Sequence, residues 1–217
     1  MKYTRLSILT LLLGLVFGLT AGAQTSSPDY TTADALLQRC TREFSNGAVQ
    51  LDFRVSGNGG KFDGKITMSG KAFAMVIPDI RVWFDGKTQW TLANDATSGT
   101  RSVNITEPTP EEIMELNPFV ILANYSSRYD ARRLKGAPAG SQRVLLSPQG
   151  KSPAGLVSAT LTLSDKTGLP QAVDLVFDNG AEIKATVREA RKLPKLSPGA
   201  FRFNAADYPG TEIIDLR

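Results

Sequence analysis

The sequence predicts a mainly β protein of the α+β class, in which a long antiparallel sheet follows one helix and is interrupted by two short helices. Three observations lead to this prediction. Apolar residues recur at helical spacing from Ala33 to Phe44, most segments from Ala48 onward alternate apolar and polar residues, and turns rich in Gly, Pro, Asp and Asn separate those segments. We count about ten strands, and an antiparallel sheet of that length either splits into two layers or curls toward a barrel.

The first 23 residues predict a secretory signal peptide. Two basic residues precede an apolar run at residues 6–19, and small residues end at Ala23. The run is shorter than the roughly 20 residues that span a bilayer, so we expect cleavage near Ala23 and not a membrane anchor. We therefore expect an exported periplasmic chain in which residues 24–217 form a single domain.

Composition excludes several classes of function. The chain has no histidine, which removes Ser-His-Asp and Cys-His catalysis and histidine-based zinc sites. Its single cysteine excludes an intramolecular disulfide and a cysteine-rich metal cluster. The net charge of +4 falls to +2 without the two basic residues of the signal peptide, which is too small to indicate nucleic-acid binding. We expect no catalytic residue, no cofactor, no metal site and no nucleic-acid partner.

The first element of the exported chain is a predicted helix. Thr31 or Thr32 is a suitable N-cap, and the apolar stripe continues to about Phe44. We interpret Cys40, which lies in the stripe, as a small buried apolar residue; a reactive thiol is the alternative. The stripe consists of Ala33, Leu36, Leu37, Cys40 and Phe44.

Strands follow on both sides of the helical interruption. Gly70 breaks one alternating run, while Asp85-Gly86 and the Asp-Asn-Gly sequence at residues 178–180 are typical of tight hairpins. The predicted strands cover residues 49–55, 62–68, 73–77, 82–84, 88–92, 101–106, 128–135, 142–146, 157–164, 172–177 and 182–190.

Two short helices interrupt the strands. Residues 109–112 (Thr-Pro-Glu-Glu) combine an N-cap, a first-turn proline and a capping-box glutamate, and Asn117-Pro118 repeats the start signal. These helices carry more apolar side chains than a surface connector needs, so we expect their apolar surface to be covered.

Basic residues form two dense groups. Solvated strand faces explain them, and the alternative is docking to acidic partners or to anionic lipid headgroups. The groups are Arg128, Arg132, Arg133 and Lys135, and Arg188, Arg191, Lys192 and Lys195.

Large apolar residues concentrate in the first half of the predicted sheet and in the two helices. A sandwich core has this pattern. Methionine and phenylalanine also suit a pocket for flexible chains, because they repack cheaply. The pattern alone leaves both interpretations open.

Five motifs occur in a characteristic order: residues 82–90 (VWFDGKTQW), 117–122 (NPFVIL), 168–170 (GLP), 201–203 (FRF) and 209–215 (PGTEIID). Together with the export signal, they closely resemble the LolA family of periplasmic carriers, which move lipoproteins to the outer membrane. The resemblance runs from the first helix to the C-terminus.

This resemblance implies an incomplete antiparallel β-barrel of about 11 strands, with a helical lid over an apolar cavity that shelters acyl chains. We assign eight residues to the cavity wall: Phe53, Ile66, Met68, Phe73, Met75, Phe84, Trp90 and Leu92. We assign seven residues to the lid (residues 113–122): Ile113, Met114, Leu116, Pro118, Phe119, Ile121 and Leu122.

The sequence departs from the family at one important position. The family often has an Arg-Pro pair after the strand that matches residues 64–68, and its arginine latches the lid. Here Ser69-Gly70 occupies that place. We therefore expect a divergent branch whose lid is latched in another way.

The resemblance implies a monomeric, non-enzymatic chaperone that receives lipoproteins from an inner-membrane lipoprotein-releasing transporter. An outer-membrane receptor is a possible further partner. Transfer of acyl chains through water needs such a carrier, because each exposed methylene costs roughly 0.8 kcal/mol. A carrier of a free lipid or glycolipid and an envelope protein-interaction module are the alternatives.

Overall fold

Most of the described residues lie in strands. The computed structural model of the protein describes residues 32–57, 60–94, 99–122, 128–152 and 155–217. The predicted signal peptide lies outside these residues. The two helices are α1 (Ala33–Ser45) and α2 (Pro110–Leu116), and a 3₁₀ turn covers Pro118–Val120. The strands are β1 (Ala48–Gly57), β2 (Gly60–Ser69), β3 (Ala72–Ile77), β4 (Ile80–Phe84), β5 (Gln89–Asn94), β6 (Arg101–Thr106), β7 (Tyr129–Leu134), β8 (Ser141–Pro148), β9 (Leu156–Ser164), β10 (Pro170–Phe177), β11 (Glu182–Leu193) and β12 (Glu212–Asp215).

These strands form one open sheet in the order β12-β6-β5-β4-β3-β2-β1-β11-β10-β9-β8-β7. Two antiparallel meanders, β1 to β6 and β7 to β11, are joined where β1 pairs with β11. The sheet is unclosed, so the predicted class, an incomplete β-barrel with few helices, is confirmed.

The last strand was not predicted as a strand. β12 has four residues and pairs in parallel with β6, whereas the other neighbouring strands are antiparallel. A segment this short carries too few residues for alternation to identify it. Its presence brings the described sheet to 12 strands.

One face of the sheet carries the main core. Val49, Leu51 and Phe53 of β1 alternate with more exposed residues, and their partners Met68 and Ile66 on β2 share the same face. The helix α1 covers this face with the predicted apolar stripe, from Ala33 to Phe44. The Thr32 hydroxyl accepts a hydrogen bond from the backbone N–H of Ala35, which confirms the predicted N-cap.

A second apolar cluster lies on the opposite face of β4 to β6. The Trp83 ring contacts Phe203 and Tyr208 edge-on, each at 5.6 Å between ring centroids. The C-terminal segment that carries these two rings therefore covers the outer face of the sheet near its β12 edge. Leu92 and Val103 are paired across β5 and β6 and are buried on this face.

Cys40 provides a direct test of the core. Its side chain has no exposed surface, and burial, with a smaller effect of Glu43, raises the pKa of the thiol to about 12. We expect native Cys40 to react with iodoacetamide at pH 8 at least about 100-fold more slowly than an exposed thiol, and to react fully in urea.

The matched control is a Cys40→Ala/Ser45→Cys variant, which moves the single thiol to an exposed position on the same helix. Mass spectrometry over time gives both alkylation rates. Equal rates for the native protein and the control would contradict the buried position of α1.

Candidate functional site

A cleft of about 450 Å³ opens at one end of the sheet. Three connections meet there, because alternate turns of an antiparallel meander lie at the same end. They are the β2–β3 turn, the β4–β5 turn and the segment between β6 and α2. We call this the first cleft, and it is lined by Lys71, Phe84, Gly86, Lys87, Glu107, Pro108, Pro110, Ile113, Met114, Val120, Ile121, Arg128 and Tyr129.

The lid forms one wall of the first cleft. The capping box that the sequence predicts is present: the Glu112 carboxylate accepts from the Thr109 backbone N–H at 2.7 Å, and the Thr109 hydroxyl accepts from the Glu112 backbone N–H at 3.3 Å. This fixes where α2 begins. Ile113 and Met114 then project from α2 into the cleft, opposite Phe84 at the end of β4.

The segment of residues 113–122 packs against the core through Phe119. This side chain has no exposed surface, and its ring meets Phe53 edge-on at a centroid distance of 5.6 Å. The side-chain oxygen of Asn117 accepts a hydrogen bond from the Phe119 backbone N–H at 3.0 Å, and this bond orients the turn. The Thr41 hydroxyl of α1 lies 2.9 Å from the Leu37 carbonyl oxygen and 3.3 Å from the Leu122 carbonyl oxygen, so both are within reach of its single proton.

One polar group under the lid is left without a partner. Asn117 is fully buried, and its side-chain nitrogen has no hydrogen-bond partner among the described residues. A buried donor of this kind destabilises the arrangement that buries it by about 1–3 kcal/mol.

A second cleft of about 220 Å³ lies between α1 and the lid. Lys71 borders both clefts, so they are neighbours. The residues that line this second cleft are Thr41, Phe44, Ser45, Met68, Gly70, Lys71 and Leu122.

The rim of the first cleft is cationic. Lys71, Lys87 and Arg128 line it together with one described carboxylate, that of Glu107. The Lys87 ammonium lies 3.0 Å from the Glu107 carboxylate. Among the described residues, Lys71 and Arg128 form no such ion pair.

Asp85 orders the turn that holds Lys87. Its carboxylate accepts from the backbone N–H groups of Lys87 and Thr88 at 3.1 and 2.9 Å and pairs with the Arg202 guanidinium at 2.9 Å. Burial would raise the pKa of Asp85, but these hydrogen bonds and the Arg202 charge outweigh burial and lower it. The same residue thus fixes the rim and anchors the C-terminal segment.

The predicted cavity residues do not all lie together. Phe53, Ile66, Phe73 and Met75 are buried in the closed core, and Met68 is buried there too but borders the second cleft. Phe84 lines the first cleft, as stated above.

Trp90 and Leu92 need a correction. Trp90 pairs with Trp83, and Leu92 pairs with Arg81, so both point away from the face that carries Phe84. Leu92 is buried in the outer cluster under the C-terminal segment, and Trp90 is half-buried on the same face. Neither residue lines the first or the second cleft.

The predicted lid residues divide between the clefts and the core. Ile113, Met114 and Ile121 line the first cleft, and Leu122 lines the second. The remaining three pack into or against the core: Leu116, Pro118 and Phe119.

Ser69-Gly70 holds the β2–β3 turn and not the lid. The Gly70 N–H donates to the Phe44 carbonyl at 2.9 Å, and the Ser69 hydroxyl donates to the Gly47 carbonyl at 2.8 Å. The next residue of this turn is Lys71, whose side chain reaches the cleft. The Arg-Pro pair expected from the family resemblance is absent at this position.

Sequence reasoning missed Lys71, Lys87 and Glu107 as site residues, and it did not single out Val120 or Tyr129. The three charged residues lie in separate connections, and nothing in their spacing along the chain brings them together. The available signal was the strand order, which would have placed alternate turns at one end.

Metal-binding clusters and membrane-spanning helices are both absent from the described residues. No group of three or more Cys, Asp or Glu side chains there is placed to hold a metal ion. No described helix has the length and apolar character needed to cross a membrane.

Residues 34–153 match the family described as outer membrane lipoprotein carrier protein LolA. The match covers more than half of the chain and includes all residues that line the two clefts. No curated protein sequence matches the chain.

Solved structures with a similar fold have low sequence identity. An uncharacterized conserved protein from Thermus thermophilus has a TM-score of 0.55 at 11% identity, over 84% of this chain and 98% of that one. A LolA superfamily protein from Nitrosomonas europaea has a TM-score of 0.43 at 12% identity, over 82% and 99%. The Pseudomonas aeruginosa MucA/MucB complex contains a chain with a TM-score of 0.41 at 16% identity, over 80% and 61%. The first likeness supports the fold alone.

Asp85 predicts a pH dependence of stability. Because its pKa is lowered in the folded state, its stabilising effect is complete above the unfolded pKa of about 3.9 and is lost as the pH falls through the folded pKa. We expect Asp85→Asn to lower the free energy of unfolding at pH 7 by a few tenths to about 1 kcal/mol. We also expect the free energy of unfolding of Asp85→Asn to fall less than that of the native protein between about pH 5 and pH 3. The variant lacks the carboxylate that becomes protonated as the pH falls.

Urea unfolding at each pH measures both effects. Asp79→Asn is the control, because Asp79 lies in an exposed turn at φ 63°, which asparagine also tolerates. An Asp85→Asn variant with the same acid sensitivity as the native protein would contradict the role given to Asp85.

Proposed function

Because this chain belongs to the family described as outer membrane lipoprotein carrier protein LolA, we propose that it binds acyl chains beneath its lid and carries them between membranes of the cell envelope. The observation that carries this proposal is the apolar lid seated over an open cleft. Chemistry on the substrate is not required for this function, so we propose a binding protein and not an enzyme.

The two clefts supply the entry for an acyl chain. The first cleft, of about 450 Å³, falls in the range of about 300–1,000 Å³ that is usual for ligand pockets. Phe84, Met114 and Val120 give it apolar walls, and methionine adapts easily to flexible chains. The second cleft extends the apolar surface toward Phe44 and Met68.

A full-length acyl chain requires the lid to move. Phe119 occupies the space over Phe53 in the closed state. When Phe119 lifts, the buried residues Phe53, Ile66 and Met68 become the wall that the chain contacts. These three predicted cavity residues are therefore core residues in the closed protein and cavity residues in the open one.

The unpartnered Asn117 amide supports such an opening. Its buried side-chain nitrogen gains a partner from water or from a ligand carbonyl once the lid moves. The cost of about 1–3 kcal/mol in the closed state is relieved on opening, and roughly 0.8 kcal/mol is gained for each methylene of the chain that is buried. Both contributions favour the open, ligand-bound lid.

For the cellular route, we propose that residues 1–23 are removed on export and that residues 24–217 act as a monomeric periplasmic domain. The domain receives lipoproteins from a releasing transporter in the inner membrane and delivers them to the outer membrane, with or without a receptor there. Recovery of the protein from the periplasm, followed by mass spectrometry of bound peptides and lipids, tests this route. Acylated peptides are expected. Lipid without peptide would indicate a carrier of free lipid, and neither would indicate a protein-interaction module.

A substitution that fills the first cleft tests the acyl site. Val120 lines the cleft and is half-buried, so Val120→Trp fills space without removing a core side chain. We expect the affinity for a fluorescent long-chain acyl probe to fall at least about tenfold, which corresponds to about 1.4 kcal/mol. Fluorescence anisotropy measures the affinity.

Val157→Trp is the matched control, because Val157 is 52% exposed on β9 and lines neither cleft. Its affinity and melting temperature are expected to equal those of the native protein. Native affinity in Val120→Trp would exclude the first cleft as the acyl site.

A further inference from the structure

We propose that the ligand of the two clefts carries an anionic headgroup, a phosphate or a carboxylate attached to its acyl chains, and that Lys71 and Arg128 bind this group at the rim. The inference rests on the proposed binding of acyl chains and concerns free lipids as ligands, in addition to the acylated peptides of the route proposed above. It distinguishes an anionic lipid from a neutral one with the same tails.

The charge at the rim is not compensated within the described residues. Lys87 is paired with Glu107, whereas Lys71 and Arg128 line the same cleft without an ion pair. Two cations beside an apolar cleft give a ligand with an anionic head and apolar tails a favourable interaction at both ends.

Elsewhere on the sheet, several cations of β1, β2 and β11 lie within ion-pair distance of carboxylates, whereas others, such as Lys61 of β2, form no ion pair among the described residues. Cations that serve only solubility could be paired with carboxylates or unpaired. Unpaired cations at the mouth of an apolar cleft are in addition well placed to bind the anionic headgroup of a lipid. The strand pairs are Arg54–Asp63, Arg188–Asp63, Lys65–Asp52, Lys184–Asp174, Arg191–Glu189 and Lys192–Glu43, the last reaching α1.

The position of Lys71 fits a headgroup site. It is the residue that borders both clefts, and its side chain is exposed. The preceding residues Ser69 and Gly70 are held by hydrogen bonds to Gly47 and Phe44, so the backbone of the turn is fixed while the side chain can reach a ligand. A headgroup at Lys71 would direct one acyl chain into each cleft.

Arg128 approaches the first cleft from the other half of the sheet. Its backbone carbonyl accepts from the Gln149 N–H at 2.8 Å, which holds the residue next to the start of β7. A guanidinium binds phosphate or carboxylate through two parallel hydrogen bonds, so Arg128 adds geometric selection to the point charge of Lys71.

The test compares lipids that differ only in the headgroup. The mature chain is incubated with phosphatidylcholine vesicles that contain a trace of fluorescent phosphatidylglycerol or of fluorescent phosphatidylcholine with identical acyl chains. Protein-bound lipid is measured after removal of the vesicles. We expect about tenfold higher uptake of phosphatidylglycerol, and a preference that falls as salt is raised.

Lys71→Glu is expected to reduce phosphatidylglycerol uptake about tenfold and to leave phosphatidylcholine uptake within about twofold of the native value. Arg128→Gln should have a smaller effect in the same direction. Lys61→Glu is the matched control, because Lys61 is an exposed lysine near the opposite end of β2 and lines neither cleft.

Two further arms identify the source of the anion. A fluorescent fatty acid is compared with its methyl ester, which shows whether a carboxylate suffices. Inorganic phosphate is added as a competitor, and we expect it not to displace the phospholipid at millimolar concentration, since it lacks tails. Displacement by phosphate alone would overturn the lipid assignment.

The failure of this inference is distinguishable from failure of the proposed function. Equal uptake of the two phospholipids by the native protein, or an equal loss of both in Lys71→Glu, would overturn the headgroup site and leave acyl binding intact. Uptake of neither phospholipid and of neither fatty-acid probe would overturn both.

Discussion

The contact between Phe119 and Phe53 is the interaction on which the closed structure depends. A sheet with one apolar face has to cover that face, and α1 covers only part of it. Phe119 brings the lid down onto the rest, at 5.6 Å from the Phe53 ring. This contact anchors the turn that follows α2 on the core, beside the two clefts.

The free energy that the Phe119–Phe53 contact contributes is moderate. An aromatic pair contributes about 0.5–1.5 kcal/mol beyond its buried area, and the unpartnered Asn117 amide next to it opposes closure. The proposed carrier function needs this balance, because a lid that closes too firmly would exclude the ligand and a lid that does not close would expose the apolar core to water. Here the balance lies in the lid itself, since the Ser69-Gly70 turn supplies no arginine latch.

The mouth of the cleft depends on a second constraint, the fixed ends of the strands. Asp85 ties the β4–β5 turn to Arg202, and the hydrogen bonds of Ser69 and Gly70 tie the β2–β3 turn to the end of α1 and the residues that follow it. Lys71 and Lys87 therefore extend from anchored turns. Charged groups on fixed supports at the edge of an apolar cleft can select a ligand by its headgroup while the lid adapts to its tails.

The sequence by itself determined the elements and their apolar faces: the α1 stripe, the alternation in β1 to β3 and the capping box of α2 are local patterns, and each lies where it was predicted. It did not determine the short parallel strand β12 or the joint position of Lys71, Lys87 and Glu107, which depend on strand order. Trp90 and Leu92 show the reason most clearly. Alternation establishes that two residues share a face, but the tertiary packing of the lid on one side and the C-terminal segment on the other decides which face becomes the site.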